Sequence, residues 1–165
     1  MAGPYSVLFV CMGNICRSPT AHGVFRQAVQ TAGLAERVHV ASAATHDLHP
    51  GDPPDPRSVK HAKGRGYDLS DLRASTLTAE DLERSDLVVV MDDNNLAVVQ
   101  ARCPPEHLHK VMRMAGFCRR QPPVASVPDP YYGGPEDFEH VLDLVEDACE
   151  GLLGLVRERV DKARS

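Results

Sequence analysis

Cys11 and Arg17 are separated by five residues, Met12-Gly13-Asn14-Ile15-Cys16, and Ser18-Pro19 follows at once. A thiol and a guanidinium at the two ends of a short glycine-containing loop point to anion chemistry. A tight loop with its amides turned inward is a nest for oxyanions. Arg17 supplies a planar, two-pronged donor for phosphate oxygens. A cysteine thiolate beneath a tetrahedral anion held in this way is a nucleophile aimed at phosphorus. Amides and guanidinium neutralise the charge between them, so neither a metal nor a cofactor is expected.

The flanking residues indicate how the loop is positioned. Val7-Leu8-Phe9-Val10 is an unbroken apolar run and reads as a strand buried on both faces. Ser18 reads as the cap of a following helix and Pro19 as its first residue. A helix N-terminus adds unpaired N–H groups and the positive end of a dipole. Phosphate esters also need a proton on the leaving oxygen, which a positioned acid supplies for about 10²–10⁴ in rate. Asp129, restrained by Pro128 and Pro130, is the candidate.

Val10-Cys11-Met12-Gly13-Asn14-Ile15-Cys16-Arg17-Ser18-Pro19 resembles the signature of the low-molecular-weight protein tyrosine phosphatases at every fixed position. Val127-Pro128-Asp129-Pro130-Tyr131-Tyr132 is similar to that family's acid loop. Ser42-Ala43-Ala44-Thr45, Pro54-Asp55-Pro56-Arg57 and Met91-Asp92-Asp93-Asn94-Asn95 look like its intermediate landmarks, so the resemblance covers nearly the whole chain. It implies a four-stranded parallel sheet flanked by helices and a metal-independent hydrolysis of phosphotyrosine and aryl phosphates. Cys11 would form a cysteinyl-phosphate, Asp129 would serve as acid and then base, and Arg17 would track the equatorial charge. Met12, Gly13, Asn14, Ile15 and Cys16 would complete the phosphate loop. Ser18 would hydrogen-bond the Cys11 sulfur, Asn14 would hold the loop open, and Cys16 would join Cys11 reversibly on oxidation, where a plain packing role is the alternative. Leu48, Tyr131 and Tyr132 would wall the substrate cleft, and Ile15 is the residue expected of phosphotyrosine-directed members.

Three positions depart from the family pattern. Leu48 stands where tryptophan or tyrosine is usual, and offers apolar contact without ring stacking. Leu72-Arg73-Ala74-Ser75 replaces a His-x-Ala-Arg stretch, so Asn14 is expected to lose a partner and turnover to fall below that of typical members. His22 replaces a common glutamate and reads as a surface variation.

Two other readings carry different chemistry. An arsenate reductase of the same fold needs two further cysteines near the nest, but residues 17–102 hold none, and Cys103, Cys118 and Cys149 are spread widely. A non-catalytic phosphate-binding module would not need Cys11, Arg17 and Asp129 together. His46, Asp47, His49 and Asp52 lie on a proline-rich loop without helical spacing, which favours exposed loop side chains over metal ligands.

The elements that must position these residues follow an alternating order. Ala21, Val24, Phe25, Ala28, Val29 and Ala32 recur at helical spacing up to Gly33, and Arg37 to Ala43 reads as a second strand. A turn-rich loop runs from Thr45 to Pro54. Asp55 caps and Pro56 opens a helix that Gly64 and Gly66 end, and Thr78 with Asp81 resembles a capping box. Asp86 to Met91 is a third strand, Asn94 to Arg102 a helix, and Lys110 to Met114 a fourth strand. A proline-dense loop is expected over 115–135, followed by a long amphipathic helix through Phe138, Val141, Leu142, Val145, Cys149, Leu152 and Val156. Strand–helix alternation predicts a doubly wound parallel sheet, whose ligands bind at the carboxyl ends of the strands.

At 165 residues, 42% hydrophobic and 25% charged, the chain is expected to be one domain spanning 1–165. A net charge of −5 without a basic run argues against nucleic acid. Five cysteines, no signal peptide and no apolar run of membrane-spanning length favour a reduced, cytoplasmic setting without membrane attachment. Partners are expected to be phosphotyrosine-containing proteins, tyrosine kinases among them, with the chain a monomer or weak dimer.

Overall fold

The computed structural model describes residues 3–120, 124 and 126–163. Four strands, β1 (Tyr5–Cys11), β2 (Val38–Ala44), β3 (Leu87–Val90) and β4 (Val111–Arg113), form one sheet in the order β2-β1-β3-β4. All three pairings are parallel, with Cys11 beside Ala44 and Val10 beside Val90 at the carboxyl edge. The helices are α1 (Arg17–Thr31), α2 (Pro56–Gly64), α3 (Ala79–Arg84), α4 (Asp93–Arg102) and α5 (Pro135–Ala163).

Both faces of β1 are covered, which is why its sequence shows no polar alternation. Val7, Phe9 and Cys11 join the core made with α1 and α5, where the Phe9 and Phe25 rings meet edge to face at 5.7 Å. Leu8 and Val10 join a second core with Val88, Val90, Leu82 and Val99 on the other face. β1 is central, and the chain leaves its two sides for β2 and β3. This is the switch point at which open α/β sheets leave a crevice.

Most predicted elements lie within a residue or two of their expected bounds. The capping boxes explain two of the helix starts: Thr78 exchanges hydrogen bonds with Asp81, and Asp92 does so with Asn95. Asp55 accepts from the Arg57 amide ahead of α2. The expected loop over 115–135 is corrected at its start, because Met114–Phe117 is a turn of 3-10 helix, and another 3-10 segment precedes β4 at Pro105–Lys110. Residues 121–123 and 125 of that loop, Pro122 and Pro123 included, lie outside the described residues.

The start of α1 also differs from expectation. The helix begins at Arg17, with Cys16 as N-cap and no side-chain cap bond, so Ser18 and Pro19 are its second and third residues. A proline is tolerated there because the first turn's N–H groups have no partner within the helix. Ser18 is free for another task. His22 is not a surface variation either: it is partly buried, its Nδ1 lies 3.0 Å from Ser42 Oγ, and burial lowers its pKa to about 4, with Arg26 adding to the effect. The imidazole is therefore neutral near pH 7.

Candidate active site

The segment between β1 and α1 is built around buried side chains. Cys11 is 3% exposed at the end of β1, and its Sγ lies 3.0 Å from Ser18 Oγ. Asn14 donates to the same Oγ from Nδ2 at 2.7 Å, and its Oδ1 accepts from the Ser75 amide at 3.1 Å. Asn14 has φ of 56°, a left-handed conformation that asparagine tolerates better than most residues. The buried amide fixes a backbone reversal that turns the loop around the Cys11 sulfur.

Ser75 reaches Asn14 because the chain after α2 returns alongside β2. Ala44 N donates to Ser75 O, and Leu77 N donates to Ala44 O. The partner expected to be missing is thus supplied by a backbone N–H, which every residue but proline at 75 can provide. Leu72 is buried in the main core instead.

The amides of residues 13–16 donate to no other group among the described residues. With the uncapped first turn of α1 they form a run of unpaired donors, the arrangement that favours an anion. Arg17 lies under this run and is 3% exposed. Its Nη1 donates to Asp92 Oδ2 at 2.6 Å and to the Val127 carbonyl at 3.1 Å, and its Nη2 lies 3.6 Å from Asp129 Oδ2. A long side chain is thereby held in one orientation by α4's N-cap and by the chain leading into the acid loop. Val127 N is tied in turn to Met91 O at the end of β3.

Asp129 projects from that loop with its side chain 43% exposed. Its Oδ1 accepts from the Tyr131 amide at 3.1 Å, a local turn that fixes the carboxylate's direction. Arg57 braces the loop from α2. Its guanidinium grips Asp55 through Nε and Nη2, donates to the Tyr131 carbonyl at 2.9 Å, and lies over the Phe138 and Tyr131 rings at 4.7 and 5.5 Å.

A cleft of about 170 Å³ opens between these parts. It is lined by Cys11, Met12, Gly13, Ile15, Cys16, Arg17, Leu48, Asp129, Tyr131 and Tyr132, which brings every expected site residue together except Asn14 and Ser18. Those two are buried beneath it. Cys16 is 5% exposed, and burial, helped by nearby carboxylates, pushes its thiol up to about 12. It stays protonated at neutral pH.

Three residues carry more of the geometry than sequence reasoning assigned them. Asp92 and Arg57 were visible only as parts of landmark segments, and their partners lie 75 and 74 residues away. His49 lines the cleft as well, its ring so close to Gly13 that a Cβ there would sit 3.2 Å from His49 Cδ2. Its Nδ1 is 3.6 Å from Asp52. Among the described residues, no group of three His, Cys, Asp or Glu side chains is placed to hold a metal.

A parallel α/β sheet with a cysteine-bearing anion loop at its switch point defines a class of thiol-centred phosphate-handling proteins. Within that class, the sequence profile of low molecular weight phosphotyrosine protein phosphatases matches residues 6–165, and the chain belongs to this family. It is 43% identical over 162 residues to the low molecular weight protein-tyrosine-phosphatase of Streptomyces coelicolor, covering 95% of this chain and 96% of that one. The human low molecular weight phosphotyrosine protein phosphatase is 37% identical over 149 residues, 90% of this chain and 93% of its own. A protein tyrosine phosphatase from Entamoeba histolytica, solved with Hepes in its active site, superposes with a TM-score of 0.90 at 38% identity, covering 93% and 97% of the two chains. No helix among the described residues is long and apolar enough to cross a membrane.

Proposed function

We propose that the chain hydrolyses phosphotyrosine in proteins, and aryl phosphates, through a cysteinyl-phosphate intermediate. The observation that carries this reading is the placement of Cys11 Sγ, Arg17 and Asp129 in one cleft, with Ser18 Oγ 3.0 Å from the sulfur. Because Ser18 Oγ accepts from Asn14 Nδ2, its own proton is left for the Cys11 sulfur, the hydrogen bond that a thiolate nucleophile would use.

In the first step the Cys11 sulfur attacks phosphorus, the bond to the tyrosyl oxygen breaks, and Asp129 protonates the departing oxygen. In the second, Asp129 takes a proton from water as its oxygen attacks the phosphocysteine, releasing inorganic phosphate and restoring the thiolate. The amides of residues 12–17 and the Arg17 guanidinium hold the three equatorial oxygens in both steps. The exposure of Asp129 suits both roles, since it must meet a leaving group and then water. Cys16, protonated and lining the same cleft, is the thiol that would pair with Cys11 on oxidation. The setting we infer is the reducing cytoplasm, with phosphoproteins, tyrosine kinases among them, as substrates.

The test is hydrolysis of a phosphotyrosine peptide with EDTA present, comparing the native chain with Cys11→Ser. The expected outcome is chelator-resistant turnover that falls by roughly 10⁴-fold or more in the variant. Phosphate binding with no turnover by the native chain would instead mark a binding module.

A further inference from the structure

The large hydrophobic side chains exposed among the described residues are Met12, Leu48, Leu108, Tyr131 and Tyr132, and four of these five ring the mouth of the cleft. Tyr132 is 95% exposed and Leu48 55% exposed. Isolated exposed apolar residues need no explanation, but a cluster rimmed by polar groups marks a contact surface. This cluster is also held in place. The Tyr131 and Tyr132 rings meet edge to face at 4.9 Å, Gly133 N donates to the Pro130 carbonyl, Gly134 N donates to Asp137, and Arg57 holds the Tyr131 carbonyl. A side chain as exposed as Tyr132 on so well braced a turn adds little to the core. It is pre-organised for something outside the chain.

The charged groups near the mouth already have partners: no lysine lines the cleft, Arg17 is buried against Asp92 and Asp129, His49 lies 3.6 Å from Asp52, and Arg57 beside Tyr131 is committed to Asp55 and the Tyr131 carbonyl. A cavity of about 170 Å³ takes a phosphorylated ring and little more, so the residues on either side of a phosphotyrosine must lie on this rim. Apolar neighbours would be buried against Met12, Leu48, Tyr131 and Tyr132, whereas acidic neighbours would lie on an apolar rim whose nearby cations are already paired.

We propose that the rim makes this chain selective for phosphotyrosines flanked by apolar residues and poor on those set among acidic ones. The proposal rests on the phosphatase reading above and adds the substrate's local sequence to it. Two phosphotyrosine peptides of equal length, with leucine or with glutamate at the two positions on each side, are compared alongside p-nitrophenyl phosphate, which carries no flanking residues. The leucine peptide is expected to show about tenfold higher kcat/KM, the equivalent of one side chain largely buried. In the double variant Leu48→Ser, Tyr132→Ser, whose side chains are too exposed to matter for folding, that ratio should fall to about threefold or less. Equal rates on the two peptides, preference for the acidic one, or a preference that survives the double substitution would overturn the proposal. No hydrolysis of p-nitrophenyl phosphate would remove the phosphatase reading, and this proposal with it.

Discussion

The phosphate loop and the acid loop meet in one cleft but are built on opposite terms. From Cys11 to Ser18 the functional side chains are buried, Cys11, Asn14 and Ser18 are bonded to one another, and Cys11, Asn14, Cys16, Arg17 and Ser18 are each no more than 5% exposed. Asp129 is nearly half exposed, and Tyr132 is almost wholly so. An anion site gains from donors fixed in advance, because nothing then has to reorganise as charge develops. An acid that must meet a bulky leaving group and then water cannot be sealed in the same way. The acid loop takes its order from outside itself, through Arg57 and through Arg17's bond to the Val127 carbonyl. One loop is ordered first by its own buried residues, with Asp92 and the Ser75 amide as outside supports; the other is ordered mainly by attachment.

The largest effect that probes this contrast belongs to Asp129→Asn. The substitution keeps the local turn but removes the proton, so kcat on a phosphotyrosine peptide should fall about 10²–10⁴-fold. On an aryl phosphate whose phenol leaves readily, the loss should be markedly smaller, because that leaving group needs less protonation. Equal losses on both substrates would mean that Asp129 supports the cleft rather than supplying the acid.

Asp92→Asn tests the point where the two loops share a support. Asparagine caps a helix about as well as aspartate, so α4 should keep its start. The charge-assisted bond to the buried Arg17 guanidinium is what changes. A loss of that kind corresponds to about 10- to 100-fold in kcat/KM. If Arg17 is rigid only through its own loop, the variant should instead behave like the native chain.

These two residues also show how far the sequence could be read. The strand, the loop and the helix after it are local, and the alternation of strands with helices was enough to read the parallel sheet, with an anion loop expected after its first strand from the spacing of Cys11 and Arg17. The start of α1 was misplaced by a residue or two because Ser18 has the chemistry of a cap, and only the structure shows its hydroxyl committed to Cys11 and Asn14 instead. Asp92 and Arg57 were visible as members of conspicuous segments, but what they hold lies more than 70 residues away, and no periodicity encodes such a contact. The burial of His22 was missed for a related reason: its partner Ser42 sits on β2, twenty residues on.

Arg57→Ala should isolate rigidity by attachment. It removes the bond to the Tyr131 carbonyl and the cation over two rings while leaving the phosphate loop untouched. The expected result is a fall in kcat of roughly 5- to 10-fold on the peptide, with little change on the readily leaving aryl phosphate. Arg57→Lys should recover little of it, since an ammonium lacks the fork that spans Asp55 and the carbonyl together. A fall confined to KM would show that Arg57 serves substrate binding and not the placement of the acid.

The smallest effect is expected at the position that looked most damaging in the sequence. Judged by side chains, Ser75 is a lost arginine and Asn14 a residue short of a partner. The bond that matters comes from the Ser75 amide, whose position is set by the pairing of that segment with Ala44, and any residue but proline can donate it. Ser75→Ala should therefore leave kcat and KM within about twofold of the native values, the usual range for a substitution that touches no buried network. A tenfold loss would show that the serine hydroxyl, which lies 3.4 Å from the Ser42 carbonyl, helps to hold the loop in place of the absent arginine. A side chain would then support the phosphate loop from behind, and its rigidity would no longer come from its own composition and a backbone amide alone.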